Sequence, residues 1–502
     1  MKKYIYILSV AALSMTVGCK KEFLDEKPSE RLSAEQIAEA AKKDPTLLNG
    51  NIAGLYSTMY NTGTGGSNPL AHDDFGQKGY DIYSDMLSAD MVLGALNYGW
   101  YSNISRYTAP VDFTRNEVYW PWRYYYRIIL AANTVIDALG GTTVSPTDAT
   151  QRHIMGQAKA MRGYAYFYLA QFYAKGYGTG TEKILPMYLS TTVPNQPKST
   201  SAEVYAQIID DLTKAAELLK DFNRTSKDQV NQYVAKGLLS YALAARGTTA
   251  DLNQVITLTD DIINNGGFRL VSETEVVAIL NPTTGALTNP ESGFNNVANP
   301  SWMWGVDLTL ANDLDLVSWW GQMDVYTYSY AWAGDPKRID AGLFASIRSD
   351  DLRKKQFTAS LVPSNKFFDP ARKAGGQRNV TTDYVYMRSE EMYLLNAEAK
   401  AKLNMDALAK DRLKQLLAKR ITNYSYVDAL SGQALQNEIY LQTRIELWGE
   451  GKSYLALKRN KATITKGSNH LFDPGKSFAY NADEITMVIP QAEVLNNPVL
   501  GQ

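Results

Sequence analysis

The side chains that catalyse most hydrolytic reactions are present in this sequence, but their spacing does not form a recognisable active site. The three histidines, His72, His153 and His470, are too far apart for a local metal-ligand motif. Glu446 and Glu450 lie one helical turn apart, so their carboxylates point to the same side of a helix, whereas a glycosidase needs two carboxylates across a cleft. We expect these glutamates to form structural ion pairs. Carboxylates that converge from distant segments remain an alternative, and the sequence favours a protein that is not an enzyme.

Phosphate and metal motifs are also incomplete. Two Gly-Lys-Ser triplets, at 451–453 and 475–477, resemble the end of a phosphate-binding loop. That loop needs a glycine five positions before the glycine of the triplet, and Glu446 and His470 occupy those positions. The His-Asp-Asp segment at 72–74 offers ligands for a cation, but we interpret it as a solvated loop. The sequence therefore predicts no resident metal and no organic cofactor.

Cys19 is the only cysteine, and the residues before it are typical of a lipid-attachment site. Two lysines precede an apolar run, Tyr4–Val17, which is too short for a stable transmembrane helix but long enough for a signal peptide. Thr16-Val17-Gly18-Cys19 resembles the bacterial lipobox, in which the cysteine sulfur receives a diacylglycerol and the peptide is cut before the cysteine. Thr16 departs from the usual leucine. The alternative is an ordinary signal peptide with Cys19 merely close to its cleavage site.

Acylation at Cys19 determines where the protein is expected. Each buried methylene of an acyl chain contributes about 0.8 kcal/mol, so several chains on one residue hold a protein on a membrane almost permanently. Lys20 and Lys21 follow the cysteine, and they provide no retention signal of the Asp type for the inner membrane. We therefore expect a lipid-anchored protein of the outer membrane that faces the cell surface.

The composition excludes some classes of partner and favours others. In 502 residues, 51 Lys and Arg nearly balance 52 Asp and Glu, so the chain lacks the basic footprint of a nucleic-acid-binding protein. It has 33 Tyr, 9 Trp and only 14 Phe. Tyr and Trp join an apolar face to a polar edge, which suits sugar binding and half-wet interfaces. The alternative is a core that is rich in tyrosine.

Hydrophobic periodicity predicts mostly helical segments, several of them in pairs of the tetratricopeptide kind. Thr200-x-x-Glu203 is a capping box, the chemistry that begins a helix. Between Phe268 and Phe368 the helical pattern gives way to Gly, Asn, Pro and aromatic residues, with a strand-like segment at 300–305, and such long irregular regions are usually functional. Residues 485–502 are expected to form an extended segment that packs across the rest of the protein. Helices are expected at 33–43, 45–60, 73–96, 118–139, 157–173, 200–220, 231–246, 251–265, 386–403, 406–421 and 433–458.

A series of short motifs spans nearly the whole chain; each is weak alone, and together they are specific. They are the lipobox at Cys19, Trp122-x3-Tyr126-x2-Ile129-x3-Asn133, Ala158-x3-Arg162-x3-Tyr166-Phe167-x-Leu169, Leu185-Pro186, Arg388-x2-Glu391-x2-Leu394-x3-Glu398, Arg444-x-Glu446-Leu447-x2-Glu450-Gly451, and Ile489-Pro490-Gln491-x-Glu493-x2-Asn496-x2-Val499-Leu500. In these motifs and their order, the chain resembles the SusD/RagB family of outer-membrane nutrient-binding lipoproteins of Bacteroidota. Ser453 departs from the arginine that the family usually has there.

The resemblance implies a mostly α fold, SusD-like, with four tetratricopeptide-like helix pairs and an irregular, aromatic-rich ligand-binding part. It also implies a lid on a SusC-like TonB-dependent transporter that captures oligosaccharides, or peptides in the RagB branch. The corresponding division is a signal peptide (1–18), a lipidated tether (19–30), a helical part (31–266), a loop-rich ligand-binding region (267–385) and a second helical part (386–502), in one continuous body. A scaffold that docks to the transporter without a ligand site of its own is the structural alternative.

Aromatic residues in two loops are the candidate ligand contacts, because rings stack on the C–H faces of sugars while polar side chains bind the hydroxyls. The resemblance also places a stacking tryptophan near Trp100. We expect Trp302 and Trp304 to belong either to the core or to the site, and Trp122 and Trp448 to be structural. The predicted ligand-binding residues are Trp100 and Tyr101 in the first loop, Trp319, Trp320 and Trp332 in the second, and Asn97 and Arg106 as polar companions.

Overall fold

Packed α-helices form most of the molecule, as the sequence predicts. The computed structural model describes residues 34–502, so the predictions for the signal peptide, Cys19 and residues 19–30 lie outside the described residues. The helices are α1 Ala34–Lys43, α2 Asn49–Thr58, α3 Gln77–Leu87, α4 Ser102–Ser105, α5 Asn116–Ala138, α6 Ala149–Tyr173, α7 Ser201–Leu218, α8 Gln232–Arg246, α9 Thr249–Asn265, α10 Trp319–Met323, α11 Ala341–Ser346, α12 Ser389–Lys402, α13 Asp406–Leu417, α14 Gly432–Glu446, α15 Ser453–Arg459 and α16 Gln491–Asn496.

Residues 34–502 contain four short antiparallel strand pairs, two of which join distant parts of the chain. The strand β1 pairs with β5, β2 with β3, β4 with β6, and β7 with β8. The strands are β1 Met91–Leu93, β2 Lys183–Pro186, β3 Lys198–Thr200, β4 Trp302–Val306, β5 Lys337–Ile339, β6 Tyr384–Arg388, β7 Thr463–Thr465 and β8 Ser477–Ala479. The strand predicted at 300–305 is therefore present as β4, and β1–β5 links the first aromatic loop to the second.

The long helices stack in chain order, as tetratricopeptide-like pairs do. Each helix from α5 to α9 packs on the next, and α12 continues the array by packing on α9, α13 and α14. The capping box that the sequence predicts opens α7, where Glu203 N–H donates to Thr200 Oγ1 at 3.2 Å and Thr200 N–H donates to Glu203 Oε2 at 2.7 Å. Within this described part, none of the helices combines enough length and apolar character to cross a membrane.

Helix α6 lies at the centre of the array because it can be buried on every side. All residues from Ile154 to Tyr173 are buried. Gly163 allows close packing on α7, since a Cβ atom at that position would lie 2.8 Å from Leu212 Cγ. Arg162 donates to both oxygens of Asp211 at 2.8 Å and to Asn133 at 2.8 Å. Arg162 therefore forms a buried ion pair with Asp211.

Three predicted helices differ most from the observed bounds. The helix expected at 73–96 is only α3, because the chain leaves it at Leu87 and enters β1. The helix expected at 433–458 is broken between α14 and α15, where Gly449 and Gly451 have φ values of 82° and 72°. Conversely, α6 begins at Ala149, eight residues before the predicted start, with Asp148 as its N-cap. These differences arise from tertiary contacts and capping that apolar periodicity does not report.

The break after α14 brings two buried carboxylates to a group of arginines. Glu446 accepts hydrogen bonds from Arg353 at 3.0 Å, Arg388 at 2.7 Å and Arg420 at 2.9 Å. Burial raises the pKa of Glu446 and of Glu450, but the facing cations outweigh it, so the pKa of Glu446 falls well below its usual value and that of Glu450 falls to about 2. The predicted structural ion-pair network is confirmed.

The remaining tryptophans outside the candidate site belong to the core. Trp302 and Trp304 are buried in β4, where the indole of Trp304 donates to the Asp228 carbonyl at 2.7 Å. Trp122 and Trp448 are also buried, as their structural interpretation requires. The C-terminal segment crosses the body as predicted, and Gln491 N–H donates to the Phe113 carbonyl at 2.8 Å, with only the short α16 added.

Candidate functional site

The two loops predicted to bind ligand meet at the edge formed by β1 and β5. Gly94 N–H donates to the Pro336 carbonyl at 2.9 Å, directly after the strand pair ends. Asn97 Nδ2 donates to the Gly334 carbonyl at 2.9 Å, and Tyr98 N–H donates to Asp335 Oδ2 at 3.3 Å. Residues 94–101 and 328–335 are thereby held side by side.

A left-handed turn in the first loop separates the two rings that follow each other in sequence. Gly99 has φ 78° and Tyr101 has φ 65°, so the chain reverses on both sides of Trp100. As a result, Trp100 stays partly exposed while Tyr101 is only 2% exposed. Tyrosine adopts a positive φ at a cost of about 1–2 kcal/mol, which the buried packing of its ring offsets.

Four rings form what we call the aromatic cluster: His72, Tyr98, Trp100 and Tyr330. The imidazole of His72 is stacked on the indole of Trp100, with centroids 4.9 Å apart and planes 6° apart. Tyr98 meets Tyr330 edge to face at 4.8 Å, and Tyr330 lies 6.4 Å from Trp100. His72 Nδ1 is hydrogen-bonded to the Tyr330 hydroxyl. Burial lowers the pKa of His72, so its neutral ring can accept that hydrogen bond at pH 7.

A second group of rings continues from the cluster along the same loop. Tyr328 and Trp332, the alternate neighbours of Tyr330, lie with their centroids 5.6 Å apart. The guanidinium of Arg378 lies 4.1 Å from the centroid of Tyr328. Gly375 lies against Trp332 so closely that a Cβ atom there would be 2.6 Å from the indole. We call Tyr328, Trp332 and Arg378 the Trp332 group.

The aromatic cluster and the Trp332 group suit an amphipathic ligand that lies across a surface. Tyr98 is 52% exposed and Trp332 is 48% exposed, whereas most aromatic rings of the chain are buried. Such rings provide apolar faces, and the nearby Asn97 amide and the exposed Arg378 provide polar contacts. His72 covers one face of Trp100, so a ligand can stack only on the other.

Three of the predicted stacking residues do not have the exposed faces that stacking requires. Trp319, Trp320 and Tyr101 are 2%, 1% and 2% exposed. The ring of Trp319 packs against Phe367 at 4.6 Å and against Trp320 at 4.9 Å. Tyr101 packs against Tyr83 with centroids 5.5 Å apart. The expectation that these three rings are open to a ligand is therefore wrong, because α10 and the turn at Tyr101 direct them into the core.

Arg106, predicted as a polar companion of Trp100, is directed elsewhere. It is exposed, and its guanidinium lies 3.8 Å from the ring centroid of Phe472, in the loop between β7 and β8. By contrast, Asn97, Trp100 and Trp332 all lie at the surface where the two loops meet. Those three residues remain candidate ligand contacts.

Sequence reasoning did not select His72, Tyr98, Tyr328, Tyr330 or Arg378. The interpretation of residues 72–74 as a solvated loop is wrong, because the His72 ring is stacked and Asp73 and Asp74 are buried. The alternating aromatic residues at 326, 328, 330 and 332 are a signal in the sequence for one ring-bearing face. Nothing local in the sequence indicates that His72 and Arg378 join these rings.

Cavities of appreciable volume also lie elsewhere in the molecule. Two adjoining cavities of about 460 and 600 Å³ both have Arg246, Arg459 and Lys461 in their walls. Arg246 is paired with Asp251 and Arg459 with Glu398, so most of this charge is neutralised within the fold. Among residues 34–502, no group of three or more His, Cys, Asp or Glu side chains is arranged to hold a metal ion. The exposed rings are therefore the stronger candidate site.

Comparison with protein families gives two matches. A family model described as "Starch-binding associating with outer membrane" matches residues 22–246, and one described as "SusD family" matches residues 326–502. A SusD-like protein of Bacteroides ovatus is 25% identical over 210 residues, which cover 36% of this chain and 37% of the relative. The SusD-like protein P25 of Formosa agariphila is 26% identical over 34% of this chain and 31% of its own. The chain thus spans about a third of the length of these curated relatives.

Solved structures extend the likeness over the whole described fold. A SusD-like carbohydrate binding protein from Bacteroides vulgatus superposes with a TM-score of 0.72 at 24% identity, over 92% of this chain and 97% of that one. Surface glycan-binding protein A from Bacteroides uniformis superposes with a TM-score of 0.62 at 17% identity, over 91% and 99%. At these identities the likeness shows the fold alone. Since the two family models together match most of the sequence from near its start to its end, the chain belongs to the SusD family.

Proposed function

We propose that this protein is a lipid-anchored outer-membrane protein that captures an oligosaccharide at its surface and delivers it to a SusC-like TonB-dependent transporter. The observation that carries the proposal is the partly exposed aromatic cluster, continued by the Trp332 group, on a SusD fold. Relatives of this fold are described as carbohydrate-binding and glycan-binding proteins. In this proposal the protein binds its ligand without changing it.

The rings fit a sugar chain better than a small apolar ligand. Trp100 is partly exposed and Trp332 is 48% exposed, so each ring is accessible from solvent. Sugars bind to such open faces through their C–H groups while their hydroxyls stay hydrogen-bonded to water and polar side chains. An open site of this kind buries little surface, so we expect Kd values between about 1 μM and 1 mM.

In this proposal, different parts of the chain have different roles. The helical parts, 31–266 and 386–502, hold the shape of the molecule and supply a surface for the transporter. The loop-rich region 267–385 supplies Tyr328, Tyr330 and Trp332, while Tyr98 and Trp100 are contributed by the first helical part. Acylation at Cys19 fixes the body to the membrane.

A binding experiment tests the ligand site directly. The full-length mature protein is applied to an array of neutral and acidic oligosaccharides and short peptides, and the ligands it retains are measured by calorimetry. We expect binding to oligosaccharides that Trp100→Ala and Trp332→Ala each reduce by about tenfold or more. Phe113→Ala is the matched control, because Phe113 is a 41% exposed ring at another surface. Retention of peptides alone, or glycan binding that neither tryptophan variant changes, would overturn the proposed site.

Further measurements test the anchor, the docking to a transporter and the absence of catalysis. Mass spectrometry of the mature N-terminus should find an acylated Cys19, and Cys19→Ser should release the protein from the membrane fraction. Co-purification of a TonB-dependent transporter that persists in Trp100→Ala would separate docking from ligand capture. A bound oligosaccharide should be recovered with its chain length unchanged after prolonged incubation. Cleavage that follows the purified protein would contradict the non-enzymatic proposal.

A further inference from the structure

The Trp332 group carries positive charge that the described fold leaves unpaired. The loop at 371–378 has the sequence Ala-Arg-Lys-Ala-Gly-Gly-Gln-Arg, and its Gly375 packs against the indole of Trp332. Within residues 34–502, neither Lys373 nor Arg378 has a carboxylate oxygen within 4.0 Å. This is unlike Arg348, a comparable exposed arginine, which lies over Tyr426 at 4.8 Å and also pairs with Asp350 at 2.9 Å.

Arg378 lies over an aromatic ring, and its side chain has no hydrogen-bond partner within residues 34–502. Its guanidinium lies 4.1 Å from the centroid of Tyr328, and Tyr328 lies 5.6 Å from Trp332. An arginine that stacks on a ring through its face keeps the N–H groups of its edge available. A carboxylate or sulfate can accept two of those N–H bonds at once.

Lys373 belongs to the turn that packs on Trp332. It lies two positions before Gly375, whose added Cβ atom would be 2.6 Å from the indole of Trp332, and a Cβ atom on Gly376 would lie 3.2 Å from Lys373 Cβ. Lys373 is exposed. The third cation of the loop, Arg372, is already used, since it donates to the Tyr326 hydroxyl at 2.7 Å and to the Ser364 carbonyl at 3.1 Å.

Nearby acids do not neutralise this charge. Asp324 is buried, and its oxygens accept hydrogen bonds from Tyr326 N–H, Thr327 and Asp369 N–H. Asp315, an exposed acid, acts instead on the aromatic cluster, where it influences the pKa of both His72 and Tyr330. The two groups of rings thus differ in electrostatic character: the cluster is near an acid, and the Trp332 group carries two free cations.

From this asymmetry we infer that the ligand is an acidic oligosaccharide, whose carboxylate or sulfate is bound by Arg378 and Lys373 while its ring stacks on Trp332. The inference rests on the proposed function and specifies the class of glycan. It also sets a direction: the anionic sugar lies at the Trp332 group, and an uncharged part of the chain extends toward the aromatic cluster and Trp100.

Pairs of ligands that differ mainly in charge test whether the protein prefers acidic glycans. Uronic-acid oligosaccharides are compared with their methyl esters, sulfated oligosaccharides with their desulfated forms, and oligoglutamate serves as an acidic peptide. We expect each preferred acidic glycan to bind about tenfold more tightly than its neutral counterpart, as suits a charge-assisted contact at an exposed site. Raising NaCl from about 50 to about 500 mM should remove most of that difference.

Substitutions of the two cations test whether they cause the preference for acidic ligands. Arg378→Gln and Lys373→Gln should each weaken acidic ligands severalfold and leave neutral ligands unchanged, while Arg348→Gln, the matched control, should alter neither. Because both residues are exposed, a circular-dichroism melting curve is expected to match that of the unsubstituted protein. The carboxylate and sulfate arms of the panel distinguish the two kinds of acid group.

The outcomes separate this inference from the proposed function. Equal binding of acidic and neutral glycans, with both losing affinity in Trp332→Ala, would overturn the charge preference and leave oligosaccharide capture intact. Glycan binding that Trp332→Ala does not change would overturn the site itself. Preference for oligoglutamate over every glycan would overturn both, in favour of peptide capture.

Discussion

The imidazole of His72 lies flat on the indole of Trp100, with centroids 4.9 Å apart and planes inclined by 6°. The two residues come from different loops, 28 positions apart, and the contact fixes how Trp100 is presented to solvent. One face of the indole is covered by a neutral ring that also binds the Tyr330 hydroxyl. Only the opposite face can stack on a ligand.

This relationship predicts a graded effect of two substitutions on ligand affinity. Trp100→Ala removes the stacking ring and should lower affinity about tenfold, equivalent to about 1.4 kcal/mol. His72→Ala keeps the ring but removes its support, so the loss should be smaller. Calorimetry with the best ligand from the array measures both. A loss in His72→Ala that exceeds the loss in Trp100→Ala would show that His72 contacts the ligand itself.

Burial of Trp320 predicts an effect on stability that Trp332 does not share. Trp320 is 1% exposed, so Trp320→Ala should leave a cavity and lower the free energy of unfolding by about 3–5 kcal/mol. Trp332→Ala, at a ring that is 48% exposed, should change it by less than about 1 kcal/mol. Urea unfolding followed by circular dichroism compares the two variants. Equal losses would contradict the assignment of Trp320 to the core.

The buried carboxylate of Glu446 should be among the most sensitive positions in the chain. Glu446→Gln removes the negative charge that faces Arg353, Arg388 and Arg420, so we expect a loss of about 3–5 kcal/mol in the free energy of unfolding. The control is Asp221→Asn, which breaks a pair with Arg152 at an exposed site and should cost much less. Similar costs in the two variants would mean that burial does not govern this network.

The same network predicts a loss of stability in acid. The arginine and lysine cations that face Glu450 outweigh its burial and lower its pKa to about 2 in the folded protein, below the usual value of 4.5. The unfolded chain therefore binds more protons between these pH values, so the stabilisation is complete above pH 4.5 and is lost as the pH falls toward 2. The slope of unfolding free energy against pH should be shallower in Glu450→Gln. An unchanged slope would assign the acid sensitivity to other groups.

The turn between α14 and α15 should depend on glycine at position 449. Gly449 has φ 82°, and a Cβ atom there would lie 2.5 Å from Phe367 Cε2. Gly449→Ala should therefore destabilise the protein by more than about 1 kcal/mol. Gly50→Ala is the control, because Gly50 lies within α2 with no atom within 4 Å of its added Cβ, and alanine favours a helix by about 1 kcal/mol. Thermal unfolding should shift in opposite directions, and two shifts of the same sign would contradict the strained turn.

Local patterns in the sequence were sufficient for the helical array. Apolar spacing predicted the helices from α5 to α9, because the face that a helix buries is visible in its sequence, and the Thr200-x-x-Glu203 spacing predicted the capping box. Those patterns did not predict the break at Gly449. Its positive φ occurs where the chain packs against Phe367, which is distant in the sequence.

The sequence by itself determined that this is a mostly helical, tyrosine-rich member of its family with two loops rich in aromatic residues. Only the tertiary structure decided which of those rings face solvent. Trp319, Trp320 and Trp332 have the same side chain in one stretch of sequence, yet the first two are buried and the third is exposed. Burial of an aromatic ring stabilises the folded state wherever other residues enclose the ring. Which residues surround each ring depends on α10, β5 and Gly375, through tertiary contacts that the composition does not reveal.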